Sequence, residues 1–258
     1  TARHNRLFPF LESQGYQFIN YGFFDFPGLP SRGKPFFGND YFEDVLGNQT
    51  IISRYNRDIR WYVASRNFLK GGSRVPPYFI RNKRDHIARH DAFFKGLKNE
   101  LDREAGQPRF VYVHFLLPHQ PFYQDSTGRE VPHQVILKSS MTVEEGYLQQ
   151  VGYVNRMLRQ LAPSMVKPSA RKRVVIIQGD HGYRLFDRTV SQEKVFSNLN
   201  AIYFSDGGYD QLHDSMSCVN TFRFVLNRYF RQDLAILRDS SRYFRDPEIE
   251  GRRKNLKN

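Results

Sequence analysis

Apolar residues cluster in this chain in two ways. The first is in short runs. Val174 to Ile177 is unbroken, and Phe110 to Leu117 is interrupted only by His114. Runs of this length read as strands buried on both faces, the habit of parallel sheets. Shorter runs at Tyr16 to Tyr21 and Asn198 to Phe204 predict two more strands. The second way is in helical stripes. Tyr147, Leu148, Val151, Val154, Leu158 and Leu161 share one face of a helix predicted over 144–161. Val219, Phe222, Val225, Leu226, Tyr229 and Phe230 do the same over 217–230, with Ser217 placed to cap the start. Leu7, Phe10 and Leu11 form a short stripe that ends at Gly15. A polar stretch over 85–101 and a segment over 51–63, with Trp61 packed, complete the expected helices. Residues 27–40, 71–77 and 183–198 read as breaks or loops, the last placed to cover a site.

Strands and helices in this order predict an α/β fold: a three-layer α/β/α sandwich around a mostly parallel sheet with right-handed crossovers. A length of 258 residues suits a single domain, 1–258, with 231–258 as its C-terminal extension. The strand that should precede the first helix is missing. The chain opens at Thr1 in what reads as mid-helix, so it is expected to be part of a longer protein. There is no internal repeat, no low-complexity segment and no Gly-rich phosphate loop.

Charge adds a partner class. The net charge is +13, which points to anionic partners. Its basic runs, Arg171 to Arg173 and Arg252 to Lys254, are short and read as solvated ends. No nucleic-acid motif accompanies the charge, so no nucleic-acid partner is expected. Cys218 is the only cysteine, which excludes an intramolecular disulfide and a cysteine-based zinc cluster. No apolar run approaches the ~20 residues of a membrane-spanning helix.

Candidate chemistry lies where strands end. Val174 to Gln178 delivers Asp180 and His181 at its carboxyl end, the place where α/β sheets build sites, and Gly182 lets the chain turn. A carboxylate beside an imidazole suits zinc or manganese; the alternative is a polar turn. The strand from Phe110 presents His119 between Pro118 and Pro121, while His114 reads as a hydrogen-bonded core residue. Asp25 reads as a turn former. His86 and His90 sit four apart on a helix lacking the glutamate of a His-Glu-x-x-His motif, and read as a solvated face. Cys218 reads as a small packed residue, because Asn220 and Arg223 break the Cys/Ser-x-Pro-x-Arg pattern. Asn48 to Thr50 reads as a chance match to a glycosylation acceptor.

Taken together, Val111 to Phe122 resembles the strand and "PH.P" loop of sulfatase-like proteins of the alkaline phosphatase superfamily. Val175 to Gly182 resembles their metal-binding "DHG" segment. Residues 15–26, 48–61, 147–161, 198–204 and 219–227 resemble further segments of a bacterial, usually membrane-anchored branch. The resemblance implies an alkaline-phosphatase-like domain, truncated at its N-terminus. Asp180 and His181 would bind a divalent metal (Zn, Mn, Ca or Mg), and His119 would contact the transferred phosphoryl or sulfuryl group or a second metal. It also implies an acidic ligand and a nucleophile, both upstream of Thr1, so that this piece alone is expected to be inactive. The implied substrate is a sulfate or phosphate ester, with a lipid headgroup or glycan as carrier. The implied place is the periplasm or the outer face of a bacterial membrane, reached through an N-terminal membrane segment outside this chain. The alternative is a non-catalytic relative that binds an anionic glycan or lipid headgroup.

Overall fold

A computed structural model describes residues 5–23, 25–33, 77–137, 140–183 and 192–241. The expected helix over 51–63, the triplet at Asn48 and the basic run at Arg252 lie outside them. The chain forms two compact units, Thr1–Lys167 and Pro168–Asn258.

In the first unit, α1 (Leu7–Ser13) ends at Gly15, whose φ of 76° is the left-handed conformation that glycine adopts without strain. Strand β1 (Gln17–Tyr21) follows and pairs in parallel with β2 (Arg109–Val113), in a register that sets Gln17 beside Arg109 and Tyr21 beside Val113. Period-two alternation sends Phe18 to one face of this pair and Ile19 and Tyr21 to the other. Phe18 and its neighbour Phe110 meet Phe8 of α1, with ring centroids 4.2 Å and 6.4 Å away. Ile19 and Tyr21 instead join Phe23 and Phe93 in a buried cluster. Phe93 belongs to α2 (Pro77–Asp102), which lies in the long connection between the two strands. Helices therefore cover both faces of a parallel pair, which is the layered α/β arrangement.

Two further helices are described in this unit: α3 (His133–Leu137) and α4 (Val143–Met165). The start of α4 is a capping box: the Glu145 N–H donates to Thr142 Oγ1 (3.1 Å) and the Thr142 N–H to the Glu145 carboxylate (2.8 Å). Its buried face differs from the apolar stripe. Gly146, Gln150, Met157, Leu161 and Met165 are inside, while Leu148 is 59% exposed. Gly146 leaves room for the Phe122 ring, and Gln150 donates to the Gln124 carbonyl at 3.2 Å. A small residue and an amide whose N–H has a buried acceptor thus turn the helix away from its most apolar face.

The second unit holds β3 (Val174–Gln178) and β4 (Asn200–Phe204), which pair antiparallel, Val174 opposite Phe204 and Gln178 opposite Asn200. The described part of their connection contains only a 3-10 turn, Gln192–Val195. An antiparallel neighbour needs no crossover helix to return the chain, whereas a parallel one does. Helix α5 (Cys218–Phe230) buries Asn220, Thr221, Phe224 and Val225, so its inner face is rotated from the expected stripe and Val219 is 57% exposed. The segment after α5 explains the rotation. The Asn220 amide donates to the Leu237 carbonyl (2.8 Å) and accepts from the Leu237 N–H (3.0 Å). Asn227 makes the same pair of bonds with Leu234, and Arg223 donates to the Ala235 carbonyl. Residues 231–237 are therefore strapped along one polar stripe of α5. Ser217 sits at the cap position with no side-chain cap bond; its N–H donates to Asp239 instead.

Candidate functional site

The second unit carries the Asp180–His181 pair. Strand β3 stops at Gln178, and the Gly179 N–H still pairs with the Leu199 carbonyl at 2.8 Å. Asn198 then anchors the turn: its amide donates to the Gly179 carbonyl (2.9 Å) and toward Cys218 Sγ (3.0 Å). Cys218 is half-buried in that contact, as a small packed residue would be. Asp180 projects outward with 89% of its side chain exposed, and its Oδ2 lies 3.7 Å from His181 Nε2. Gly182 is needed for space, since a Cβ there would strike the carbonyl oxygens of Lys194 and Ser197. Its N–H donates to the Val195 carbonyl at 2.7 Å, tying the turn to the 3-10 segment.

The chemistry of this pair follows from one bond. His181 Nδ1 lies 2.7 Å from the Gly182 carbonyl oxygen. A carbonyl only accepts, so Nδ1 carries a proton, and in the neutral ring Nε2 is the free lone pair facing the Asp180 carboxylate. An imidazole held through its other nitrogen by a backbone carbonyl is the usual arrangement of a metal-ligating histidine. The pair thus fits two ligands of a divalent metal. Among the described residues no group of three or more metal-binding side chains is present.

The first unit carries His119. Past β2, the His114 N–H donates to the Tyr21 carbonyl at 3.3 Å, and its half-buried ring meets the Tyr112 hydroxyl at 3.2 Å, as a core histidine should. Phe115 and Leu116 pack against the buried cluster. The chain then emerges through two cis prolyl bonds, Leu117–Pro118 and Gln120–Pro121, with His119 exposed between them. His119 Nδ1 lies 2.5 Å from the Gln120 carbonyl, so this ring too presents Nε2 outward. Asp25 accepts from the Ser31 N–H at 2.8 Å, the role of a turn former.

One reading is overturned. His86 and His90 are not on a solvated face; they are 4% and 0% exposed. The buried side of α2 runs Phe79, Lys83, His86, His90, Phe93, Glu100. That is an unbroken three-four spacing up to Phe93, hidden because most of its members are polar. The spacing itself, read without regard to hydrophobicity, was the signal available in the sequence. Each polar member reaches the core with a reason. Lys83 donates to the Val131 carbonyl (2.7 Å) and pairs with Glu130 (3.0 Å). Glu100 is gripped by Arg32, Arg103 and Arg109 at 2.9, 2.8 and 2.6 Å. The His86 and His90 rings lie 4.3 Å apart, and His86 meets Tyr123 edge-on. Burial, then the charges of His90, Arg89 and His119, lowers His86 to a pKa of about 3. Burial, followed by Arg89 and His114 and opposed by its bond to His86, lowers His90 to about 4. Both rings are neutral at pH 7.

No curated protein and no solved structure gives a significant match to the chain. A family model does: the one described as Sulfatase matches residues 2–224, a stretch that contains β1, β2, the His119 loop, β3 and the Asp180–His181 turn. With a parallel α/β pair, a histidine loop beyond β2 and an acid–imidazole pair beyond β3, all inside that match, the chain belongs to the sulfatase family.

Proposed function

We propose that this chain supplies the metal-binding and substrate-contacting part of a hydrolase or phospho-group transferase acting on a sulfate or phosphate ester. The observation that carries the reading is the Asp180–His181 turn, where the Gly182 carbonyl takes His181 Nδ1 and leaves Nε2 3.7 Å from a carboxylate oxygen. Asp180 and His181 would hold a divalent metal, whether zinc, manganese, calcium or magnesium. Such an ion polarises an ester oxygen and lowers the pKa of a bound nucleophile. The residues of the chain do the rest. The Gly182 carbonyl keeps His181 in the ligating tautomer. His119, its Nδ1 committed to Gln120, presents Nε2, which as a neutral ring atom would ligate a second metal and in the doubly protonated ring would donate to an oxygen of the sulfuryl or phosphoryl group. The nucleophile and a further acidic ligand are assigned to sequence outside these 258 residues, so the chain on its own is proposed to be inactive.

The net charge of +13 supports an anionic ester carried on a glycan or a lipid headgroup. We assign the reaction to the periplasm or the extracytoplasmic face of a bacterial membrane, with anchoring by sequence outside the chain. No described helix is long and apolar enough to cross a membrane.

Two measurements test this. The first is zinc and manganese titration of the chain, with Asp180→Ala and His181→Ala beside it; each substitution is expected to weaken binding at least about tenfold. The second is aryl sulfatase and phosphatase assay of an upstream-extended protein with the same substitutions, each expected to abolish turnover. Equal activity of Asp180→Ala and the parent would reject the reading. Binding of a sulfated glycan or anionic lipid with no turnover in the extended protein would favour a non-catalytic binder instead.

A further inference from the structure

We propose that His90, buried in α2, is the positioning residue for the His119 loop. It acts as a hydrogen-bonded pin whose tautomer decides where His119 stands. The proposal deepens the reading of His119 as a substrate contact and rests on it.

His90 is fully buried, and both of its ring nitrogens are committed. The Leu116 N–H donates to His90 Nε2 at 3.1 Å. A nitrogen that accepts from an N–H carries no proton, so the proton of this neutral ring must be on Nδ1. Nδ1 lies 2.9 Å from the His86 carbonyl oxygen, which completes the assignment: Nδ1–H donates there. The next link is in the backbone. The His119 N–H donates to the Leu116 carbonyl at 2.8 Å. One line of bonds therefore runs from the α2 backbone at His86, through the His90 ring, to Leu116 and on to His119.

The geometry gives the ring a task that packing alone would not require. Leu116 lies past the end of β2, where the ladder with β1 has stopped supplying partners. Its N–H would be orphaned in a mostly buried place, at a cost comparable to a lost hydrogen bond. His90 supplies the acceptor from the opposite element and clamps the chain one step before it turns out to His119. The ring is held in turn by stacking on Phe115, at 6.1 Å and an interplanar angle of 19°, and by Phe23 edge-on. Lys or Arg in its place would offer no acceptor, and an apolar residue would fill the volume while leaving Leu116 unpaired. Gln can place its Oε1 near the Nε2 position, which makes it the conservative replacement.

The test is amide hydrogen exchange, residue by residue, on the chain with His90→Leu and His90→Gln. In His90→Leu, the Leu116 and His119 amides are expected to exchange at least about tenfold faster, while Ile19 and Val111 in the paired strands keep their protection. His90→Gln is expected to restore most of the protection at Leu116. Equal acceleration of the strand amides and the loop amides in His90→Leu would overturn the proposal, since it would mean general loosening. So would a His90→Gln chain that behaves like His90→Leu. A second measurement needs no variant: nitrogen NMR of the unaltered chain is expected to show His90 protonated at Nδ1 only, with Nε2 coupled to the Leu116 amide. A protonated Nε2 would overturn the proposal even if His90→Leu failed to fold. Exchange is read without metal or substrate, so it separates from the functional reading. That reading falls if Asp180→Ala leaves activity intact, whatever the exchange shows.

Discussion

Among the described residues, three histidines have ring nitrogens committed to backbone groups, and the settings differ with their tasks. His119 and His181 each give Nδ1–H to a carbonyl one residue on and present Nε2 outward. His90 spends both nitrogens inside the protein. At this scale the pH behaviour follows. His86 and His90 ordinarily titrate at 6.5 and are held to about 3 and about 4 in the fold. Between pH 6.5 and those values the unfolded chain binds protons that the folded chain refuses, so stability is lost as the pH falls through that window. At pH 5 the loss is roughly 2 kcal/mol for each ring. Urea midpoints at pH 7 and pH 5 should differ accordingly, and His86→Phe should remove about half of the difference. A midpoint independent of pH over that range would show that the rings are not buried and neutral.

At the scale of elements, α2 and α4 show how polar residues choose the buried face. Glu100 sits on the buried side of α2, where burial would raise its pKa. The bonds from Arg103, and then the charges of Arg103, Arg109 and Arg32, outweigh that and hold the carboxyl below its usual range. This carboxylate joins three segments, since Arg32 follows β1 and Arg109 opens β2. Glu100→Gln removes the charge that three guanidinium groups share, and is expected to lower stability by about 2–4 kcal/mol in denaturant unfolding. A change below about 0.5 kcal/mol would mean that water already screens the cluster. Helix α4 depends on its first turn. Thr142→Ala breaks the capping box and should cost about 1 kcal/mol in the same assay, with Thr142→Ser restoring most of it.

For the whole molecule, the dominant fact is the excess of 39 Lys and Arg over 26 Asp and Glu. Like charges at this density repel one another across the surface, and salt shortens the reach of that repulsion to about 8–10 Å near physiological ionic strength. The thermal midpoint is therefore expected to rise when sodium chloride goes from 10 to about 150 mM at pH 7. A fall would show that attractive pairs such as those around Glu100 outweigh the general repulsion. His119 follows a strand of the first unit, and Asp180–His181 follow a strand of the second.

The sequence by itself determined where the strands lie and the family, but not where each strand ends: β2 stops at Val113, although the apolar run continues to Leu117. Runs such as Val174 to Ile177 exclude polar side chains from both faces, and that signal needs no neighbours to be read. The Asp180–His181–Gly182 turn and the His119 loop were legible because they abut those runs. Tertiary structure alone decided which helix faces turned inward. A polar side chain is buried when a partner waits for it, and the partners lie far along the chain: Leu116 for His90, Arg32 for Glu100, Gln124 for Gln150 and Leu237 for Asn220. The antiparallel pairing of β3 with β4 was hidden for a related reason, because direction depends on how the connection returns and not on the apolar content of either strand. Hydrophobic periodicity measures what a residue prefers against water; it carries no record of the hydrogen bond that a distant segment will offer.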